Sequence, residues 1–166
     1  MKKLVLIAAM ALVSAAAFAQ KFAHVNSATI IQAMPEYTTA QTEMQTLTKT
    51  YEDELTRMQD ELKTKAEDYQ KNGATLPDAV KQRRETELQE LNQRIQQYYQ
   101  TSQEELQKAQ QTKMQAIQKK VTDAIKEVGV SGGYVYIMDV TAGIPFINET
   151  ISTDVTSQVM AKLGIK

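Results

Sequence analysis

Cysteine is absent from the 166 residues, and with it go disulfides, thiolate metal sites, a cysteine nucleophile and a lipidated N-terminal Cys. Stability must come from packing or assembly. Tryptophan is absent as well, and one of the three phenylalanines, Phe18, lies in an N-terminal apolar run. Charge of one sign is also lacking: 19 Lys and Arg stand against 20 Asp and Glu. Setting Lys2 and Lys3 aside leaves 17 against 20, or minus 3, too weak a field to argue by charge for nucleic acid or membrane binding. The one histidine, His24, has no cysteine or acidic cluster near it in sequence, which disfavours a metal or catalytic role. Asp139 is a lone carboxylate without the partner that acid–base work requires, so a turn-stabilising role is expected. No glycine-rich phosphate loop, nucleophile elbow or paired His motif occurs. Neither an enzyme nor a cofactor is expected.

What is present begins with an address. Lys2 and Lys3, the uncharged run Leu4 to Phe18 and the small-x-small triplet Ala17-Phe18-Ala19 read as a cleavable signal peptide over 1–19. The run is shorter than the roughly 20 residues a spanning helix needs, although an uncleaved anchor is the alternative. Export follows, with Gln20 as the mature N-terminus and 147 residues left of 166 after removal of 19.

The mature chain divides in three. Residues 20–35 hold a strand, Phe22 to Asn26, then a short helix capped by Asn26 or Ser27, with Ile30, Ile31 and Met34 on its apolar side and Pro35 as its stop. Residues 36–128 predict two long helices. In the first, Met44, Leu47, Tyr51, Leu55, Met58, Leu62, Ala66 and Tyr69 recur at steps of 3, 4, 4, 3, 4, 4, 3, an eleven-residue period that predicts a nearly straight arm. A break at Lys71 to Asp78 follows: Gly73 is expected in the left-handed conformation, with Thr75, Pro77 and Asp78 starting the return. The second helix carries Leu88, Leu91, Ile95 and Tyr98, a glutamine-rich centre from Gln96 to Gln115, then Ile117, Val121, Ala124 and Val128. At ~1.5 Å per residue the arms would measure about 50 and 75 Å. Pairs at i and i+4, among them Asp53 with Arg57 and Glu61 with Lys65, suit helices wetted on most sides.

Residues 129–166 form the third part. Gly129, Gly132 and Gly133 are expected to end the helix, and Tyr134 to Val140, apolar on both alternating faces up to Asp139, reads as a strand buried on two sides. Ile144 to Asn148 is expected as a second strand, and a terminal helix is capped by Asp154 and closed by Gly164, with Val155, Val159, Met160 and Leu163 buried. Three short strands are too few to close a sheet. The fold class is therefore α+β, mainly helical: a long antiparallel helical hairpin on a small β body completed by oligomerisation, with Val25, Val135, Ile137, Val140 and Phe146 as body residues.

The helical stripes are first a seam between arms and, second, a surface for other apolar partners. Tyr51, Met58, Tyr69, Tyr98 and Tyr99 suit such partners because Met and Tyr make apolar contacts without fixed geometry. At the hairpin end Lys71, Lys81, Arg83 and Arg84 face Asp78 alone between Tyr69 and Arg84, a local plus 3. That is either a solvated, aggregation-resistant tip or a weak attraction for acidic partners or an anionic membrane surface.

The order of these elements, with FAHVNS at Phe22 to Ser27, MPEY at Met34 to Tyr37, YIMDV at Tyr136 to Val140 and DVTSQVMAKLG from Asp154, resembles the Skp/OmpH family of periplasmic chaperones over the whole mature chain. The resemblance implies a periplasmic homotrimer with a small β-barrel body and three helical tentacles around a cavity for unfolded outer-membrane proteins. Better-known members are strongly basic, whereas this chain is slightly acidic. A lipopolysaccharide site proposed in relatives on the returning helix is not carried over, since Ile95 to Thr112 holds only Lys108 as a cation. The expected function is an ATP-independent holdase for outer-membrane β-barrel precursors, with no nucleic-acid partner; the competing reading is a periplasmic coiled-coil spacer or adaptor of the envelope.

Overall fold

The computed structural model describes residues 20–165; the signal-peptide reading of 1–19 lies outside them. The chain runs β1 (Lys21–Val25), α1 (Ser27–Ala33), α2 (Pro35–Asn72), a 3-10 turn (Gly73–Thr75), α3 (Asp78–Gly132), β2 (Tyr134–Asp139), a second 3-10 turn (Val140–Ala142), β3 (Ser152–Asp154) and α4 (Thr156–Lys162). It is a mainly helical α+β fold with one three-stranded sheet. Among the described residues no helix is long and apolar enough to cross a membrane. The described residues fall into two compact units, one of 20–37 with 115–165 and one of 38–114.

In the first unit the sheet has the order β2-β1-β3, with β1 parallel to both neighbours. A central strand needs cover on both faces, and Ala23, His24 and Val25 are all buried. Asn26 caps α1 by accepting the Thr29 N–H at 3.0 Å, satisfying a donor that has no helical partner. Met34 is forced extended at ψ 128° ahead of Pro35, so the chain turns and Pro35 opens α2. Helix α1 packs on α4; Ile30, Val155 and Val159 are fully buried. Ile117, Val121, Ala124 and Val128 of α3, at steps of 4, 3, 4, are buried too, which is the apolar stripe of a core-facing helix.

Five expectations need correction. The helix passes through Gly129 and ends at Gly132; Gly132 serves close approach, since a Cβ there would stand 2.3 Å from the Tyr134 ring, whereas one on Gly129 would make only ordinary contact with Ile137 at 3.4 Å. Gly133, at φ 66°, makes the exit. No strand forms over Ile144 to Asn148; the third strand is Ser152–Asp154, aligned on β1 by Phe22↔Ser152 and His24↔Asp154. Strand β2 ends at Asp139 rather than Val140; within one chain Val135, Tyr136 and Met138 are exposed, as three strands too few to close a sheet require. Gly73 is not left-handed; it is buried in its 3-10 turn, where a Cβ would meet the Tyr69 ring at 3.1 Å. The α4 N-cap position is Val155 rather than Asp154, although Asp154 still accepts the Thr156 N–H at 2.8 Å.

The end of α4 follows its sequence. Ile165 N–H donates to Met160 C=O at 2.9 Å and Gly164 N–H to Ala161 C=O at 3.1 Å, the paired bonds of a Schellman ending, with Gly164 at φ 74°.

Candidate functional site: the paired arms and the sheet edge

In the second unit α2 and α3 run antiparallel, and their seam is thinly apolar. Met58, Leu91 and Ile95 form one buried cluster, with Leu55, Leu62 and Tyr98 half-buried against it. Between Ile95 and Ile117, from 96 to 116, only one side chain on α3 is buried, the polar Ser102, whose Oγ donates to Tyr98 C=O at 2.7 Å. An apolar seam position filled by a back-bonded serine contributes little packing.

Polar ties across the seam take over. Lys65 Nζ meets Glu87 at 2.5 Å, and the Tyr69 hydroxyl donates to Glu85 at 2.5 Å. The Tyr51 hydroxyl donates to Glu105, and Lys113 to Glu43. Hydrogen bonding to a carboxylate favours the protonated phenol, so the Tyr51 and Tyr69 hydroxyls are pushed up, chiefly by Glu105 and Glu85. Tyr98 is raised first by burial. The Glu87 carboxyl is lowered, chiefly by its bond from Lys65.

The residues predicted to meet partners separate into groups. Tyr51, Met58 and Tyr98 come together: the Tyr51 and Tyr98 rings stand edge to face with centroids 6.1 Å apart, and Met58 lies in a shallow groove of about 420 Å³ with Leu91, Tyr98, Arg57 and Arg94. Tyr99 is exposed on its own. Tyr69 is half-buried beneath Gly73. At the tip Lys81 lies 3.9 Å from Asp78 and Arg84 3.3 Å from Glu87, whereas Lys71 and Arg83 are exposed. Two of the four tip cations are thus partly neutralised within the arm. Along α2, Asp53 pairs with Lys49 at 2.8 Å and Arg57 with Glu54 at 2.6 Å instead of with one another, while Glu61 and Lys65 meet at 3.8 Å.

The cross-arm glutamates 43, 85, 87 and 105 escape a reading that pairs charges along one helix. Their signal is antiparallel register: the partner numbers 43 and 113, 51 and 105, 65 and 87, 69 and 85 advance on one strand of the hairpin as they retreat on the other.

The predicted body residues also divide. Val25 is fully buried in the central strand, and Ile137 and Val140 are half-buried. Val135, 59% exposed, and Phe146, 77% exposed, face outward. Tyr136 packs on Phe22 with ring centroids 5.0 Å apart. His24 Nδ1 lies 2.9 Å from Ser152 Oγ, and among the described residues no group of three His, Cys, Asp or Glu is placed to hold a metal. Asp139 accepts from the Ser27 hydroxyl at 2.5 Å and from the N–H groups of Ser27 and Thr141 at 3.3 and 3.0 Å. Burial raises its carboxyl, but these bonds outweigh it and leave the group below the ordinary aspartate value.

A small parallel sheet whose first two strands are separated in sequence by a long antiparallel helical hairpin defines a class of mainly helical α+β proteins. The pattern of the family described as outer membrane protein (OmpH-like) matches residues 21–163, and the chain belongs to that Skp/OmpH-like chaperone family. The Chaperone protein Skp of Yersinia enterocolitica is 26% identical over 150 residues, covering 90% of this chain and 90% of its own. A crystal structure from Caulobacter crescentus CB15, described as an outer membrane chaperone (OmpH-like), is similar with a TM-score of 0.75 at 17% identity over 87% of this chain and 83% of that one. At that identity the likeness speaks for the fold.

Proposed function

We propose that this protein is an ATP-independent holdase of the periplasm that keeps unfolded outer-membrane β-barrel proteins soluble, and that it acts as a homotrimer. The observation that carries the reading is family membership across residues 21–163. The sequence of 1–19, with its basic start and apolar run, supports delivery by export. The chemistry of the arms suits the task. Met58, Tyr51 and Tyr98 line a seam only partly closed, and Tyr99 is open to solvent; Met and Tyr accommodate varied apolar partners through non-directional contact. Capture lowers the free concentration of the aggregating chain by mass action. Lys71 and Arg83, exposed at the tip, supply a weak pull on acidic clients or anionic lipid.

The sheet supports assembly. Strand β2 leaves an unpaired edge flanked by exposed Val135, Tyr136 and Met138, and an open apolar edge favours pairing with a further chain. The test is light scattering of an outer-membrane protein diluted from urea, with this protein in molar excess. Suppression of aggregation for several unrelated precursors is expected. Suppression of none would overturn the holdase and leave a spacer with one fixed partner as the better account.

A further inference from the structure

Every cross-arm tie in residues 38–114 described above ends on a glutamate: Glu43, Glu85, Glu87 and Glu105. The groups facing them are few. Glu87 meets Lys65 across the seam, with Glu61 3.8 Å behind that lysine and Arg84 on its own helix. Glu105 meets Tyr51, beside Tyr98; Glu85 meets Tyr69; Glu43 meets Lys113. Beside these ties stands one apolar cluster, Met58, Leu91 and Ile95, with Leu55, Leu62 and Tyr98 half-buried against it. The balance of charge is also lopsided by pH. Residues 38–114 carry 14 acidic and 11 basic side chains, and the bases divide as five on α2 and six on α3. With the carboxylates neutral, plus 5 on one arm would oppose plus 6 on the other, and self-repulsion of that kind destabilises a compact pairing.

We infer that the arms form an acid-released clasp: neutralising the seam glutamates parts α2 from α3 and uncovers the apolar seam. The use of that seam for clients rests on the holdase reading; the opening itself does not. Lys65 holds the Glu87 carboxyl below the ordinary glutamate range, so the Lys65–Glu87 tie persists into more acid solution than an ordinary carboxylate would allow. Lys–Glu ties lose their charge pairing outright. Tyr–Glu ties lose a charged acceptor and keep only a neutral one, a weaker bond.

The absence of cysteine makes a direct measurement possible. Spin labels on Thr56→Cys and Gln93→Cys, exposed positions on opposite arms, report the inter-arm distance at pH 7 and at about pH 3.5. The distance is expected to lengthen by about one helix diameter, ~10 Å, on acidification, while amides of β1 stay protected from hydrogen exchange. The variant E43Q/E85Q/E87Q/E105Q is expected to show the long distance already at pH 7, and to half-suppress client aggregation at a concentration about three- to tenfold lower. An unchanged distance in acid overturns the inference, as does opening only together with loss of β1 protection, which is global acid unfolding. Opening at low pH without suppression by any form keeps the clasp and removes the holdase.

Discussion

Ser27, the first residue of α1, donates its hydroxyl to Asp139 at the end of β2 across 112 positions of sequence. The same carboxylate takes the N–H of Thr141, so one side chain ties the start of a helix to the end of a strand and fixes the turn that follows. Asp139→Ala is expected to destabilise the body by about 1.5–3 kcal/mol, the range for hydrogen bonds to a charged group, and Asp139→Asn by less. Because the folded carboxyl sits below the ordinary aspartate value, its contribution is complete above the unfolded value near 3.8 and disappears as pH falls through the folded one. Denaturant melts of wild type and Asp139→Ala should therefore converge in acid; a difference that persists to low pH contradicts the assignment.

Two substitutions on β2 separate folding from assembly. Ile137 is half-buried and packs toward Gly129, so Ile137→Asp sets a carboxylate partly against the body of its own chain and is expected to destabilise that body by about 1–3 kcal/mol. Val135 is exposed in the single chain, so Val135→Asp should leave helicity by circular dichroism intact while reducing a trimer to monomers in light scattering. A Val135→Asp protein that keeps its oligomeric mass places the interface elsewhere.

The seam offers a packing test. Leu91, 2% exposed, is the best-buried side chain of the arm cluster, and Leu91→Ala is expected to cost about 2–4 kcal/mol through the cavity it leaves. Tyr99→Ala, on an exposed position, should change stability by less than about 0.5 kcal/mol. Hydrogen exchange in Gln96 to Gln115 should be fast in both, since Ser102 is the only buried residue there.

At the tip, Lys71 and Arg83 are expected to do most of the long-range steering, because Lys81 and Arg84 lie against Asp78 and Glu87. Lys71→Gln with Arg83→Gln should slow client capture at low salt nearly as much as replacing all four, and the effect should fade at physiological salt, where exposed charges are screened beyond about 8 Å. Stopped-flow capture kinetics at two salt concentrations decide it; equal slowing by Lys81→Gln with Arg84→Gln would count against the division.

The features legible in sequence are those with a local cause. Asn26 caps, Pro35 separates two helices, and the step pattern from Met44 to Tyr69 marks one face of α2; each acts within a turn or two of chain. Strand β3 was hidden because Ser152, Thr153 and Asp154 show no apolar alternation and are aligned by β1. The apolar stretch Ile144 to Asn148 looked more strand-like yet has no such partner. Gly129 and Gly132 read as helix stops, but the helix runs through Gly129, and Gly132 leaves room for the Tyr134 ring, which only the folded structure reveals. For the candidate site, residue type pointed to Tyr51, Met58 and Tyr98, whereas the glutamates across from them depend on a register set by the length of the turn at Gly73–Thr75.

The place of β1 in the middle of the sheet dictates an order of events. Among the described residues it is made before its partners: Tyr136 and Ser152, which pair with its Phe22, follow more than a hundred residues later. Closing so long a loop is slow compared with joining Tyr69 to Glu85 around the tip. The hairpin should therefore zip from its turn while β1 waits, unpaired, for β2 and β3. During that interval the newborn chaperone exposes the same kind of aggregation-prone strand as the clients it is proposed to guard.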